Sequence, residues 1–116
     1  MNLEEELKLI GLAQTDILCF GPIYDYYYPK IFGYVFRRLG LYESSRDITA
    51  ETFIKALTHI QKYNAHERSI APWLFTIATN EINLFYRNKK YKPANFQYIQ
   101  PESIQEKEYL KLIEKE

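Results

Sequence analysis

From Ile17 to Leu39 the apolar residues Ile17, Phe20, Tyr24, Tyr27, Ile31, Val35 and Leu39 recur at spacings of three and four without a lapse. A strand would need alternation at two, so the stretch is confined to a helix with one buried side. It is the longest periodic signal in the chain. Gly21, Pro22 and Pro29 fall inside it. Pro29 has no amide hydrogen and its ring crowds the preceding turn, which predicts a kink or a division in two. Arg37 and Arg38 followed by Gly40 form a helix C-terminal signature.

The flanking segments read as further helices. Glu4 to Ala13 supports two or three turns that fray at Gly11, and Thr15 or Asp16 can cap the long helix beyond. Ser44 or Ser45 can cap a third helix with Asp47 in its first turn, and Ile48, Phe53, Ala56, Leu57 and Ile60 form its buried face. Its outer row is Asp47, Glu51 and Lys55, with Glu51 and Lys55 ordered for an ion pair worth about 0.3 to 0.5 kcal/mol. The pattern then lapses through the polar run YNAHERSIA. That loop is longer than most helix connections, and such loops often carry function. Sustained period-two alternation and Asn-Gly or Asp-Gly turns are both missing, so an all-α fold is expected.

The fourth helix opens at Pro72 and runs without Gly or further Pro until Pro93. One side carries Leu74, Ala78, Ile82 and Phe85, a stripe that must be buried. Another carries Thr76, Asn80, Asn83, Arg87 and Lys90, amides and a hydroxyl followed by cations. Such a face can hydrogen-bond base edges and neutralise phosphates. Taken by itself, a solvated face with cations complementing the helix dipole is the simpler account of it. Pro93 to Pro101 reads as a linker and Ser103 to Glu116 as the start of a polar helix that stops without a cap, so a parent chain that continues is expected.

Charge narrows the possible partners. The 116 residues hold 15 basic and 15 acidic side chains, enough chain for one compact domain and no general attraction to nucleic acid. The positive excess is local: residues 37–92 carry ten basic and five acidic groups, densest at Arg87, Lys89, Lys90 and Lys92. Tyr63, Trp73, Phe75, Tyr86 and Tyr91 are interleaved with Arg68 and these cations. Rings beside cations suit single-stranded nucleic acid, because bases stack while the cations track the backbone. For Trp73 anchoring in the core is the simpler role. Tyr26, Tyr27 and Tyr28 occupy consecutive helical positions, so at least one must point away from the core.

Other chemistry finds little support. Cys19 stands alone, which excludes an intrachain disulfide and fits a reducing, cytoplasmic setting. The acidic start Glu4 to Glu6 is unlike a signal peptide, and no apolar run approaches the roughly 20 residues that span a bilayer. His59 and His66 lack a metal-ligand pattern and no paired carboxylates suggest acid–base catalysis, so no enzyme, no metal and no cofactor is expected.

Three blocks, IYDYYYPKIFGYVFRRLG, SSRDITAETFIKALTHIQKY and SIAPWLFTIATNEINLFYRNKKYK, together resemble region 2 of RNA polymerase sigma-70 family factors, most closely the extracytoplasmic-function (ECF) group. The resemblance covers about residues 5–92 and implies a compact helical bundle over residues 1–92. It also implies docking on the clamp helices of the core RNA polymerase β′ subunit, and capture and melting of the promoter minus-ten element as single-stranded non-template DNA. By the match of Asp47 to Phe53, the residues Asp47, Glu51 and Lys55 would be polymerase-binding, with Ala50 standing where the family usually has Gln. The loop from Tyr63 to Ile70 would accept a flipped base. Tyr63, Arg68, Thr76, Asn80, Asn83, Arg87, Lys89 and Lys90 are the DNA-binding candidates. Residues 93–116 would lead to a second domain, region 4. An anti-sigma factor is a possible further partner, and a sigma-like interaction module that no longer opens promoters is the alternative function.

Overall fold

The computed structural model describes residues 1–88. These form four α-helices: α1 (Leu3–Ala13), α2 (Gly21–Leu39), α3 (Tyr42–His59) and α4 (Ala71–Asn88). Short 3-10 turns at Ile17–Phe20 and Ile60–Lys62 join them, and the described residues contain no strand. The helix α3 packs against both α2 and α4, while α1 closes over one end of the bundle. No described helix is long and apolar enough to cross a membrane. The proposed helix at Ser103 to Glu116, the linker before it, and Lys89, Lys90 and Lys92 lie outside the described residues.

Local chemistry sets the helix ends. Asn2 caps α1 by accepting the Glu5 amide hydrogen at 2.8 Å, and the helix runs through Gly11 rather than fraying there. Asp16 caps the first 3-10 turn by accepting from the Leu18 amide at 3.1 Å. The long periodic stretch therefore begins with this tighter turn, and α2 starts at Gly21. Pro22 sits in its first turn, where an amide hydrogen has no intrahelical acceptor and its absence costs nothing. Pro29 does not divide α2. It and Asp25, whose carbonyl would have received the missing bond, are both on the exposed side, where water can take that bond. Gly40 ends the helix at φ 69°, a left-handed conformation that costs glycine little, with its amide donating to Phe36 O at 2.8 Å.

The buried stripe of α2 is Ile23, Tyr27, Ile31, Tyr34 and Val35. Tyr27, Ile31 and Val35 are buried as their spacing predicts; Ile17 and Tyr24 are exposed, and Ile23 and Tyr34 complete the inward stripe. A second aromatic row, Tyr24, Tyr28, Phe32 and Phe36, runs along α2 at four-residue spacing with centroids 5.4, 6.2 and 5.9 Å apart. Phe53 and Tyr42 of α3 pack on this row at 4.9 Å from Tyr24 and 5.6 Å from Phe32. The three consecutive tyrosines separate as helical geometry requires: Tyr26 exposed, Tyr27 buried, Tyr28 between.

α3 begins earlier than its serines suggest. Its first residue is Tyr42, and Ser45 is fully buried, donating its hydroxyl back to Leu41 O at 2.7 Å. Thr49 and Thr52 repeat the pattern onto Ser45 O at 2.7 Å and Ile48 O at 2.8 Å. Each hydroxyl thus satisfies itself within its own helix, which lets a row of polar but small side chains face the core. Ile48, Phe53, Ala56 and Ile60 are buried as their spacing predicts, and Leu57 is partly buried against them. The Lys55 ammonium goes to Glu81 of α4 at 2.5 Å rather than to Glu51. A partner that is itself buried offers a less screened charge than one in solvent.

Candidate functional site

The loop 63–70 is held at both ends and exposed at its tip. At its start Tyr63 donates its amide to Ile60 O at 3.1 Å, and the Gln14 side-chain amide donates to both Ile60 O (3.1 Å) and Tyr63 O (2.6 Å). The Tyr63 ring packs on Trp73 with centroids 4.5 Å apart. Burial pushes the Tyr63 phenol up to about 12, helped by the negative charge of Glu6 and opposed by Arg68. In the tip, Asn64 Oδ1 accepts from the His66 amide at 3.2 Å and Ala65 O accepts from the Arg68 amide at 2.9 Å. Between these bonds His66 and Glu67 take φ of 49° and 58°. Two successive left-handed residues with side chains cost on the order of 1 kcal/mol each, which the bonds within the tip and its fixed ends offset together.

The far end of the loop is fixed by Glu6. Its carboxylate is buried, with 4 % exposure, and its Oε2 accepts the Ile70 amide hydrogen at 2.8 Å. Its Oε1 accepts from the Tyr27 hydroxyl in a short bond and from the Ser69 hydroxyl at 3.3 Å. Ser69 Oγ in turn accepts the Ala71 amide hydrogen at 3.1 Å. Free amide hydrogens and partial positive charge gather at a helix N-terminus, so an acid brought in from α1 acts there as a remote cap.

α4 continues from this point through the core. Trp73, Leu74, Phe75, Thr76, Ile77 and Ala78 are all buried, so its first two turns are enclosed except at the partly exposed Pro72. Thr76 therefore leaves the set of DNA-contacting candidates: its exposure is 0 % and its hydroxyl donates to Pro72 O at 2.8 Å. Trp73 takes the core role. Beyond Ala78 the helix emerges. Asn80 and Asn83 are partly exposed and Arg87 is exposed, at spacings of three and four along one face. The stripe Leu74, Ala78 and Ile82 is buried, with Phe85 packed against it. Tyr34 donates to Thr79 Oγ1 at 2.6 Å, since the Thr79 hydrogen goes to Phe75 O at 2.8 Å. Tyr86 donates to Arg38 O at 3.0 Å, tying the emergent half to the end of α2.

From Trp73 to Arg87 the helix rises about 21 Å, so the loop, the amides and the terminal cation lie in sequence along one edge. Tyr63 and Arg68 belong to that edge through the loop, Tyr63 half-buried and Arg68 exposed. Lys89 and Lys90 lie outside the described residues. On α3, Asp47, Ala50, Glu51 and Ile54 are exposed, an acidic and apolar surface. Lys55 borders it, but its charge is engaged by Glu81.

Sequence reasoning missed Glu81 and Glu6. Glu81 stands 26 positions from Lys55 and no local pattern links the two. Glu6 did carry a signal: with Ile10 and Ala13 it falls at spacings of four and three, in register with the buried face of α1. An acid in an apolar register points to a polar network at its tip.

Residues 23–91 match the family model described as Sigma-70 region 2. The chain is 32 % identical over 87 residues to the ECF RNA polymerase sigma factor BldN of Streptomyces coelicolor, covering 74 % of this chain and 33 % of the relative. It is 39 % identical over 71 residues to the RNA polymerase sigma factor YlaC of Bacillus subtilis, covering 60 % and 40 %. It is 32 % identical over 80 residues to the ECF RNA polymerase sigma factor SigW of the same organism, covering 69 % and 41 %. The chain thus spans about a third to two fifths of the length of these curated relatives. No solved structure gives a significant match. The helical bundle, the three sequence blocks and these matches agree, and the chain belongs to the sigma-70 family as an ECF-type region 2 domain.

Proposed function

We propose that this domain binds core RNA polymerase and recognises and melts the promoter minus-ten element as part of an ECF sigma factor acting in the cytoplasm. The observation that carries the reading is the edge formed by the loop 63–70 and the emergent half of α4. A strained, exposed loop tip whose ends are both fixed stands at the head of a helix face bearing Asn80, Asn83 and Arg87. An unpaired base enters at the loop, and the phosphates beyond it pass the cations toward Lys89 and Lys90. The role is one of binding, with no bond made or broken by the domain.

Polymerase docks on the surface of α3 through Asp47 and Glu51, with Lys55 as a structural neighbour of that surface. Acidic groups there complement a basic partner, and exposed Ala50 and Ile54 supply apolar area beside them. Since charge on the chain sums to zero, polymerase provides most of the binding energy and the isolated domain binds duplex DNA weakly.

Transcription by core polymerase with the full-length factor tests this directly. Asn80→Ala and Lys89→Ala lower promoter-dependent initiation, and activity equal to the parent's would overturn the DNA role of α4. Retention of the domain on immobilised β′ clamp helices tests the docking. Absence of retention would favour a sigma-like interaction module, for instance one occupied by an anti-sigma factor.

A further inference from the structure

We propose that α1 sets the shape of the base-accepting loop, with Glu6 and Gln14 as its positioning residues; this rests on the reading of loop 63–70 as the site for an unpaired base. The geometry points to it from both ends of the loop. Gln14 holds the entry by donating to Ile60 O and Tyr63 O. Glu6 holds the exit by accepting from Ser69, from the Ile70 amide and from Tyr27 of α2. Neither residue reaches the exposed tip, and both lie outside the 23–91 segment that the family model matches. Between the two pins the left-handed pair His66 and Glu67 has no intrinsic preference for its conformation. Released at either end, the tip relaxes into a broader ensemble, and a pocket for a flipped base loses its preorganisation.

Glu6 suits this task because a carboxylate only accepts hydrogen bonds, and here three donors converge on it. Glutamine at this position would keep the shape but turn a donating amide toward one of those donors. The bond to Ile70 would weaken or break while the packing around Ile10 and Ala13 stayed in place. Gln14 is half-buried and joins no apolar cluster, so Gln14→Leu removes the entry pin without opening a cavity.

The test uses the chain bound to core RNA polymerase and a short single-stranded DNA selected from a randomised pool, then scanned with an abasic nucleotide at each position. Parent protein shows one position where the abasic substitution lowers affinity about tenfold, the loss of one stacked and bonded base. In Glu6→Gln and in Gln14→Leu that penalty falls below about threefold, while affinity for the abasic strand and for polymerase stays at the parent value. A full tenfold penalty retained in both variants would overturn the proposal, as would an equal loss of affinity for abasic DNA or polymerase, the mark of general destabilisation. Absence of any sensitive position in the parent would instead overturn the reading of the loop itself. Should Glu6→Gln fail to fold, Gln14→Leu and Tyr27→Phe decide the matter by the same readout.

Discussion

The two halves of α4 share one apolar stripe and differ in the fold. The half from Ala71 to Ala78, whose one polar side chain is Thr76, is enclosed almost all round, whereas Asn80 to Asn88 carries most of the polar residues and has a solvent side. The difference comes from neighbours. Tyr63 and Tyr34 lie against the first half at 4.5 Å from Trp73 and 5.1 Å from Phe75. Beyond Ala78, α2 and α3 cover only one side of the helix, where Glu81 meets Lys55 and Tyr86 meets Arg38. A polar stripe on a helix wheel is therefore a surface only where no second element covers it, and the candidate DNA face is the later half plus the loop.

The largest effect that tests this contrast is on stability. Leu74→Ala, in the enclosed half, is expected to cost about 2–5 kcal/mol in urea unfolding, because a fully buried leucine leaves a cavity. Glu51→Ala on the exposed row of α3 should stay within about 0.5 kcal/mol. Comparable losses at both sites would break the distinction.

Function should divide along the same line. Asn80→Ala is expected to weaken binding of minus-ten non-template strand to the polymerase-bound protein by about 1–2 kcal/mol. Arg87→Ala should lower the slope of log affinity against log salt by about 0.7, the loss of one phosphate contact on a single strand. Thr76→Val, buried in the first half, should change neither quantity. A DNA defect in Thr76→Val without loss of stability would return that residue to the interface.

The tie between α3 and α4 gives a smaller effect. Lys55→Ala leaves Glu81 buried without its cation and is expected to cost about 1 kcal/mol, less than a wholly buried pair would because the lysine side chain is 41 % exposed. Glu81→Gln with Lys55→Met should recover most of that loss, which a double-mutant cycle in chemical denaturation measures.

The last effect is confined to alkaline pH. The Tyr63 phenol is held up at about 12 in the fold against 10.0 for a free one, so the protonated form is favoured by folding. Its contribution to stability is complete below pH 10 and is lost as pH rises toward 12. Tyr63→Phe should flatten that part of the stability profile, read as the urea midpoint at successive pH values. An unchanged slope would show that the ring's surroundings do not resist ionisation.

Much of the fold is legible in the sequence, for identifiable reasons. The helices, the closure of α2 at Gly40 and the buried stripe Leu74, Ala78 and Ile82 come from spacing and capping, which are local. The apolar spacing of α2 places Tyr27, Ile31 and Val35 correctly, but not Ile17, which falls in the 3-10 turn Ile17–Phe20, nor Tyr24, which is exposed. The buried face of α3 is only half visible. Ser45, Thr49 and Thr52 read as polar, and their burial depends on hydroxyl bonds back to their own helix.

Sequence by itself determined that this chain is helical, where most helices start and stop, and, through its three blocks, which family it belongs to. Tertiary structure alone decided which polar residues remain available and what holds the loop. Periodicity reports a residue's direction from its own helix axis, not what waits there. Thr76 points into the core, Lys55 finds Glu81 rather than Glu51, and Glu6 crosses to Ile70. Each outcome depends on an element brought close by packing, at separations of 26 positions for Lys55 and 64 for Glu6 that no local pattern can span.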